Sequence, residues 1–378
     1  MKVAIVRQRY NPYGGAERIV ARVLPALERA GAEVTLISRS DQGWGARRVL
    51  RIDPFYLGNL WRDWSFARAA RKAWRREGFD IVQSHERIPG CHVYRAGDGV
   101  HRRWLELRRA AAGVAENLGI ALNPYHAYVC TAEKRLFEHP RLRAVICNSQ
   151  MVRDDIRRRF RISPEKLHVI YNGVDVEHFH PRERARLRES TRAQLGITSQ
   201  EIVFIYVGSG FARKGLGPAI DGLALAANPG FRLLVVGRDR DQDRFERRAR
   251  ALGVAGRVHF LGGREDVRPP YAAADCLVLP SLYDPFGTAV LEALAMGLPA
   301  IVSGRCGAAE LIDSGVTGWV CDSNDSAAIA RHMRAAEAAL RRGGVEAAAR
   351  ATAERFSVDA MAARLLTLYQ SLAKGAAA

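Results

Sequence analysis

Asp284 and Glu292 stand in the run Asp284-Pro285-Phe286-Gly287-Thr288-Ala289-Val290-Leu291-Glu292-Ala293-Leu294-Ala295-Met296-Gly297. An apolar strand predicted over 276–280 precedes it, so Asp284 falls in a strand-to-helix loop and Glu292 about one turn into the helix. The N–H groups of Phe286, Gly287 and Thr288 open that helix and suit phosphate oxygens or sugar hydroxyls. A carboxylate beside them accepts paired hydroxyls, although the same acid also suits a plain helix cap that complements the dipole. A second run, Val207-Gly208-Ser209-Gly210-Phe211-Ala212-Arg213-Lys214-Gly215, leads from a strand through a Gly/Ser loop to two cations. Glycines let backbone amides approach an anion, and adjacent cations neutralise a diphosphate. Lys214 is one of only six lysines in a chain rich in arginine.

Other candidates follow predicted strands. Asn11-Pro12-Tyr13-Gly14-Gly15-Ala16-Glu17 has a Gly-Gly turn without the GxGxxG spacing of a dinucleotide fold, which disfavours an NAD site. Phe260-Leu261-Gly262-Gly263-Arg264 is a further strand-to-loop junction, and Ser84-His85-Glu86 and Tyr94-Arg95-Ala96-Gly97-Asp98 are two more. His85 reads equally as a site residue or as a hydrogen-bonded structural one. Asp239-Arg240-Asp241-Gln242-Asp243 has DxD spacing, but Arg238, Arg240 and Arg244 interleave with it, and a divalent cation would not choose those neighbours. The segment is read as a solvated loop.

The acid-x7-acid segment resembles the signature of family-4 retaining glycosyltransferases of the GT-B fold, which have Glu at both ends where this chain has Asp284 first. The resemblance spans nearly the whole chain. It implies Asp284 on the hydroxyls of the transferred hexose, Glu292 on the ribose, and Arg213 and Lys214 on the donor diphosphate. It also implies Gly14, Gly15, Gly208 and Ser209 near the phosphates, and main-chain groups at Arg264 on the base. The Val-Gly-Ser-x-Phe-x-Arg-Lys-Gly run and the Tyr-x-Ala-x-Asp ending at Asp98 are similar to bacterial lipopolysaccharide-core α-glucosyltransferases. That places Asp98, with His85 second, on the acceptor side. The resemblance implies a UDP-sugar donor, a metal-independent reaction without a cofactor, and retention with the leaving phosphate taking the acceptor proton on the same face. Lys214→Ala and Glu292→Ala are expected to cripple turnover with little loss of fold.

Around these residues short apolar strands alternate with amphipathic helices, the pattern of parallel α/β sheets. Strands are predicted over 3–6, 33–38, 81–83, 144–148, 167–171, 202–207, 232–236, 258–261, 276–280 and 299–302, with a first crossover helix over 14–30. At 378 residues, two domains are expected: 1–172, acceptor-binding, and 173–355, nucleotide-sugar-binding, both Rossmann-like doubly wound sheets facing across a cleft. A C-terminal helix over 356–378 is expected to pack back on the first. The charged stretch from Arg182 to Arg192 is placed at the boundary.

The net charge is +18, a positive field suited to polyanions, acidic membrane surfaces or phosphorylated substrates. Six scattered cysteines without a CxxC pair read as reduced core residues. No apolar run approaches the roughly 18 residues of a membrane span, and the chain reads as cytoplasmic, peripheral on the inner face of the cytoplasmic membrane. Arg62, Arg68, Arg71, Lys72, Arg75 and Arg76 interleave with Trp61, Trp64, Phe66 and Trp74. His101-Arg102-Arg103-Trp104 continues to Arg108 and Arg109. Basic amphipathic helices with tryptophan fit an anionic membrane surface, and a core-facing aromatic stripe with a solvated basic face fits equally. The expected acceptor is a phosphorylated glycolipid or oligosaccharide. Two rival readings remain: a GT-B sugar-nucleotide epimerase, and a basic nucleic-acid-binding protein, for which no recognisable motif is present.

Overall fold

The structure, a computed structural model, describes residues 1–9, 24, 25, 27–29, 31–41 and 48–374. The chain divides into two compact units, Met1–Asn172 with Val358–Ala378, and Gly173–Ser357.

In the first unit β1 (Lys2–Val6), β2 (Glu33–Ser38), β3 (Val49–Arg51), β4 (Ile81–Ser84), β5 (Val93–Arg95), β6 (Ala144–Cys147) and β7 (Leu167–Val169) form a parallel sheet in the order β3-β2-β1-β4-β5-β6-β7. Its central strands β1, β4, β5 and β6 are buried because both faces are covered. On one face the helices Gly58–Glu77, Pro124–Phe137 and Gln150–Arg159 contribute Phe66, Trp74, Phe137 and Ile156. On the other, Val358–Lys374 contributes Met361, Leu365, Leu368 and Tyr369.

In the second unit β8 (Ile202–Val207), β9 (Phe231–Val236), β10 (Val258–Gly262), β11 (Cys276–Leu279), β12 (Ala300–Ser303) and β13 (Gly318–Cys321) are again all parallel, in the order β10-β9-β8-β11-β12-β13. Both units are therefore Rossmann-like, and in each the strand order reverses beside the first strand, between β1 and β4 and between β8 and β11. The loops leaving those strand pairs diverge and open a crevice, the usual ligand position in doubly wound sheets. These loops carry most of the candidate residues.

The sequence reading missed β3, β5 and β13. The charged stretch after Pro181 is the helix Pro181–Gln194, an integral part of the second unit. Arg184, Arg188 and Arg192 lie four residues apart on one face and reach the buried Asp275 carboxylate, with Arg188 at 2.5 Å and Arg192 at 2.6 Å. The aromatic run on Gly58–Glu77 splits: Phe66 and Trp74 are core, whereas Trp61 and Trp64 are 42% and 47% exposed. Five of the cysteines are buried, Cys130 is half-buried, and none forms a disulfide. Among the described residues, no helix is long and apolar enough to cross a membrane.

Candidate active site

In the second unit the loops after β8 and β11 are bound to one another. The Leu282 N–H donates to the Arg213 carbonyl at 2.8 Å, and the Arg213 guanidinium donates to the Tyr283 carbonyl at 3.0 Å. Two glycines make the approach possible. A Cβ on Gly215, whose φ is +81°, would land on the Pro280 carbonyl, and one on Gly208 would come within 2.6 Å of the Lys214 side chain lying over it. Lys214 Nζ thereby reaches 3.0 Å from Asp284 Oδ2, with both side chains largely buried.

Asp284 is held at both backbone ends, its N–H on the Arg305 carbonyl at 3.0 Å and its carbonyl on the Gly307 N–H at 2.9 Å. Burial alone would raise its pKa, but Lys214 and then Arg213 outweigh burial and hold the carboxyl below its ordinary range. Lys214 is the charged partner of Oδ2, at 3.0 Å. The Phe286 N–H, expected from the sequence to face an anion, is turned onto Asp284 Oδ1 at 3.4 Å. Gly287 (φ +82°) enters the helix Thr288–Ala295, where a Cβ would meet Cys306 Sγ at 2.6 Å. Glu292 is buried on that helix, with the Tyr271 hydroxyl 3.1 Å from its Oε2.

The Asp239 segment is not a free loop. Asp239 Oδ2 accepts the Phe211 N–H at 2.7 Å, which clamps the glycine loop, and Oδ1 accepts the Asp241 N–H at 2.9 Å. Ser209 Oγ accepts the Arg238 N–H at 3.3 Å, and exposed Arg264 donates to the Leu261 carbonyl at 3.0 Å. Gly14 and Gly15 lie outside the described residues.

In the first unit the loops after β1 and β4 border a pocket of about 290 Å³, lined among others by Arg7, Asp63, Glu86, Asp98 and Tyr125. Asp98 is 49% exposed, with Oδ2 3.8 Å from Arg7. Glu86 accepts the Gln8 N–H at 2.9 Å. Burial pushes its pKa up against the pull of Arg7 and the Gln8 N–H, helped by the charges of Asp98 and Asp63. Asp63 accepts the Tyr125 hydroxyl at 2.8 Å. Sequence reasoning quoted Glu86 only as the neighbour of His85 and passed over Asp63 and Tyr125, since the three come from distant segments.

His85 is buried rather than open to the pocket. Burial, then the charges of Arg95 and Arg7, hold it well below its ordinary pKa and therefore neutral. The Tyr369 hydroxyl donates to Gln83 Oε1 at 2.6 Å, which turns the Gln83 amide nitrogen toward His85 Nε2 at 3.0 Å. This network assigns the ring proton to Nδ1.

The second unit thus offers paired cations, glycine-loop amides and two buried carboxylates, a set that can hold a diphosphate and sugar hydroxyls. The first offers a pocket lined by Asp63, Glu86 and Asp98, in which burial holds the Glu86 carboxyl above its ordinary range.

The sequence matches the family described as Glycosyltransferase Family 4 over residues 13–178, and that described as Glycosyl transferases group 1 over residues 188–342. It is 27% identical over 327 residues to the lipopolysaccharide glucosyltransferase WaaG of Escherichia coli strain K12, covering 85% of each chain. The crystal structure of WaaG, a glycosyltransferase involved in lipopolysaccharide biosynthesis, superposes with a TM-score of 0.83 at 24% identity, over 97% of this chain and 99% of that one. Anabaena Alr3699/HepE in complex with UDP-glucose matches with a TM-score of 0.72 at 23% identity, over 98% and 100%. A family-4 domain followed by a group-1 domain, each built on its own parallel sheet, makes this chain a member of the GT-B glycosyltransferases.

Proposed function

We propose that this glycosyltransferase moves a hexosyl or N-acetylhexosaminyl group, with retention, from a UDP-sugar to a lipopolysaccharide-core or related glycolipid. The observation that carries the reading is the Lys214–Asp284 pair at 3.0 Å, held between two mutually bonded loops at the strand-order reversal of the second unit. In this reading Arg213 and Lys214 take the donor diphosphate and stabilise the charge that grows on it as the glycosidic bond breaks. Asp284 accepts sugar hydroxyls and Glu292 the ribose. No carboxylate nucleophile is needed, because the departing phosphate oxygen takes the acceptor proton on the face it leaves. The cations do the work of a metal, and the reaction is metal-independent. The acceptor occupies the Asp98 pocket. The UDP-glucose complex of HepE and the name of WaaG support the choice of donor and acceptor class.

The enzyme works at an anionic membrane surface. Exposed Phe55, Leu57, Trp61 and Trp64 stand beside Arg68 and Lys72, and the helix Val114–Leu122 exposes Val114, Leu118 and Leu122 at four-residue spacing. Co-sedimentation that is equal for anionic and neutral liposomes would overturn this part.

The donor is tested by a thermal-shift and hydrolysis panel of UDP-, GDP-, ADP- and TDP-sugars. One UDP-sugar should stabilise the chain selectively and release UDP slowly; no response to any of the four would sink the reading.

A further inference from the structure

Beside the Asp98 pocket lies a second cavity of about 550 Å³, within the ~300–1,000 Å³ range of small-molecule sites. The two share a wall formed by Ala67, Arg87, Tyr128 and Ala132. Helix geometry explains the lining. Trp64, Ala67 and Arg71 lie at i, i+3 and i+7 on Gly58–Glu77, and Tyr128, Ala132 and Arg135 at i, i+4 and i+7 on Pro124–Phe137. Each helix therefore turns an aromatic and an arginine into the same space.

The arginines here differ from those nearby. Arg62 is paired with Asp63, and Arg87 with the fully buried Glu133. Arg71 and Arg135 make no ion pair or hydrogen bond among the described residues, and exposed Glu138 on the rim pairs with neither. His139 Nδ1 accepts the Arg141 N–H at 3.1 Å, which leaves the proton of the neutral ring on Nε2 as a donor. Two unpaired guanidinium forks in one cavity repel each other until an anion with several acceptor oxygens bridges them. A phosphomonoester has that geometry, and the half-exposed Trp64 ring offers a face for the sugar that carries it.

We infer that this cavity is an acceptor subsite for a phosphomonoester, borne on a sugar next to the one that receives the transferred residue, held between Arg71 and Arg135. The inference rests on the glycosyltransfer reading above, since the shared wall places the phosphorylated unit one sugar from the Asp98 pocket.

The test uses the full chain saturated with UDP, so that the donor cations are occupied, and glucose 6-phosphate as probe, followed by ³¹P NMR titration. Glucose 6-phosphate should bind and glucose should not. Arg71→Gln/Arg135→Gln should weaken binding about a hundredfold. Arg158→Gln, an exposed arginine on another helix, should retain it. Thermal melting of each variant reports folding, and each single variant supplies the answer if the double does not fold. Equal binding by the arginine variants, or no preference for the phosphorylated sugar, overturns the inference. So does a loss confined to phosphatidylglycerol vesicles with glucose 6-phosphate binding intact, which would assign the arginines to the bilayer. Failure of the parent chain to release UDP from any UDP-sugar would remove the underlying reading instead.

Discussion

Replacing Lys214 by Met separates the fold from the chemistry of the donor loops. Lys214 and Asp284 face each other at 3.0 Å with side chains only 16% and 9% exposed. At an effective dielectric of about 20 their attraction is roughly 5–6 kcal/mol, most of it offset by the desolvation of both groups. Removing one partner of such a pair costs about 3–5 kcal/mol, because the other charge is left buried. Arg213 still acts on Asp284, so Lys214→Met should cost about 2–3 kcal/mol. Asp284→Asn orphans Lys214 in turn and should also cost about 2–3 kcal/mol, whereas Lys214→Met/Asp284→Asn leaves no orphaned charge and should cost about 1 kcal/mol, giving a coupling of about 3–5 kcal/mol in the double-mutant cycle. Urea unfolding measures stability, and release of UDP from the preferred donor measures turnover. All three variants should be slow if, as proposed, Lys214 takes the donor diphosphate and Asp284 the sugar. The expectation from sequence, loss of turnover with little loss of fold, is thus revised for Lys214. A single variant as stable as the parent would refute the electrostatic argument, and a double variant that regains turnover would refute the donor assignment.

Four further outcomes follow from the geometry. Asp275→Ala strands Arg188 and Arg192 and the Val203 N–H, which bonds Asp275 Oδ2 at 2.8 Å, while Arg184 keeps Glu346 at 2.6 Å; urea unfolding should show the second unit weakened by about 3–5 kcal/mol. Gly215→Ala drives a Cβ into the Pro280 carbonyl, so soluble yield and UDP affinity should collapse together, and a normal variant would mean the loops are not closed as described. Below the usual histidine pKa of about 6.5 stability should fall. His85 and His101 are both depressed by burial first, His101 to about 4, so the unfolded chain takes up protons before the folded one does. Their contribution is complete above about pH 6.5 and lost on the way down, by at most about 1.4 kcal/mol per pH unit for each proton; a urea midpoint that is flat from pH 7 to 5 would contradict it. Tyr369→Phe frees the Gln83 amide to flip, so the ¹⁵N shifts of His85 should report a mixture of tautomers where the parent shows one.

The second unit was legible because its strands are apolar runs of four to six residues, interrupted in Phe231–Val236 only by Arg232, and a covered parallel sheet leaves that trace. Val93-Tyr94-Arg95 left none. It is three residues long, and Arg95 looks like surface charge until its guanidinium is seen 2.7 Å from Asn172, far along the chain. Local pattern has no access to such partners. For the same reason Arg182–Arg192 looked like a boundary, although its four-residue spacing already marked one helical face. Asp284, Glu292 and Lys214 could be singled out because each stands in a short contiguous motif, although their roles come from the family resemblance. Glu86, Asp63 and Tyr125 could not, since the fold alone brings them to one pocket. Asp239 shows the reverse error: its arginine neighbours excluded a cation, and a solvated loop was inferred, while the acid serves the Phe211 N–H of the glycine loop. A carboxylate can be fixed by a backbone donor, and in this chain that donor belongs to the loop presenting Lys214. Asp239→Asn should therefore loosen the glycine loop and lower UDP affinity in a thermal-shift titration, although Asp239 is not itself among the residues proposed to hold the donor.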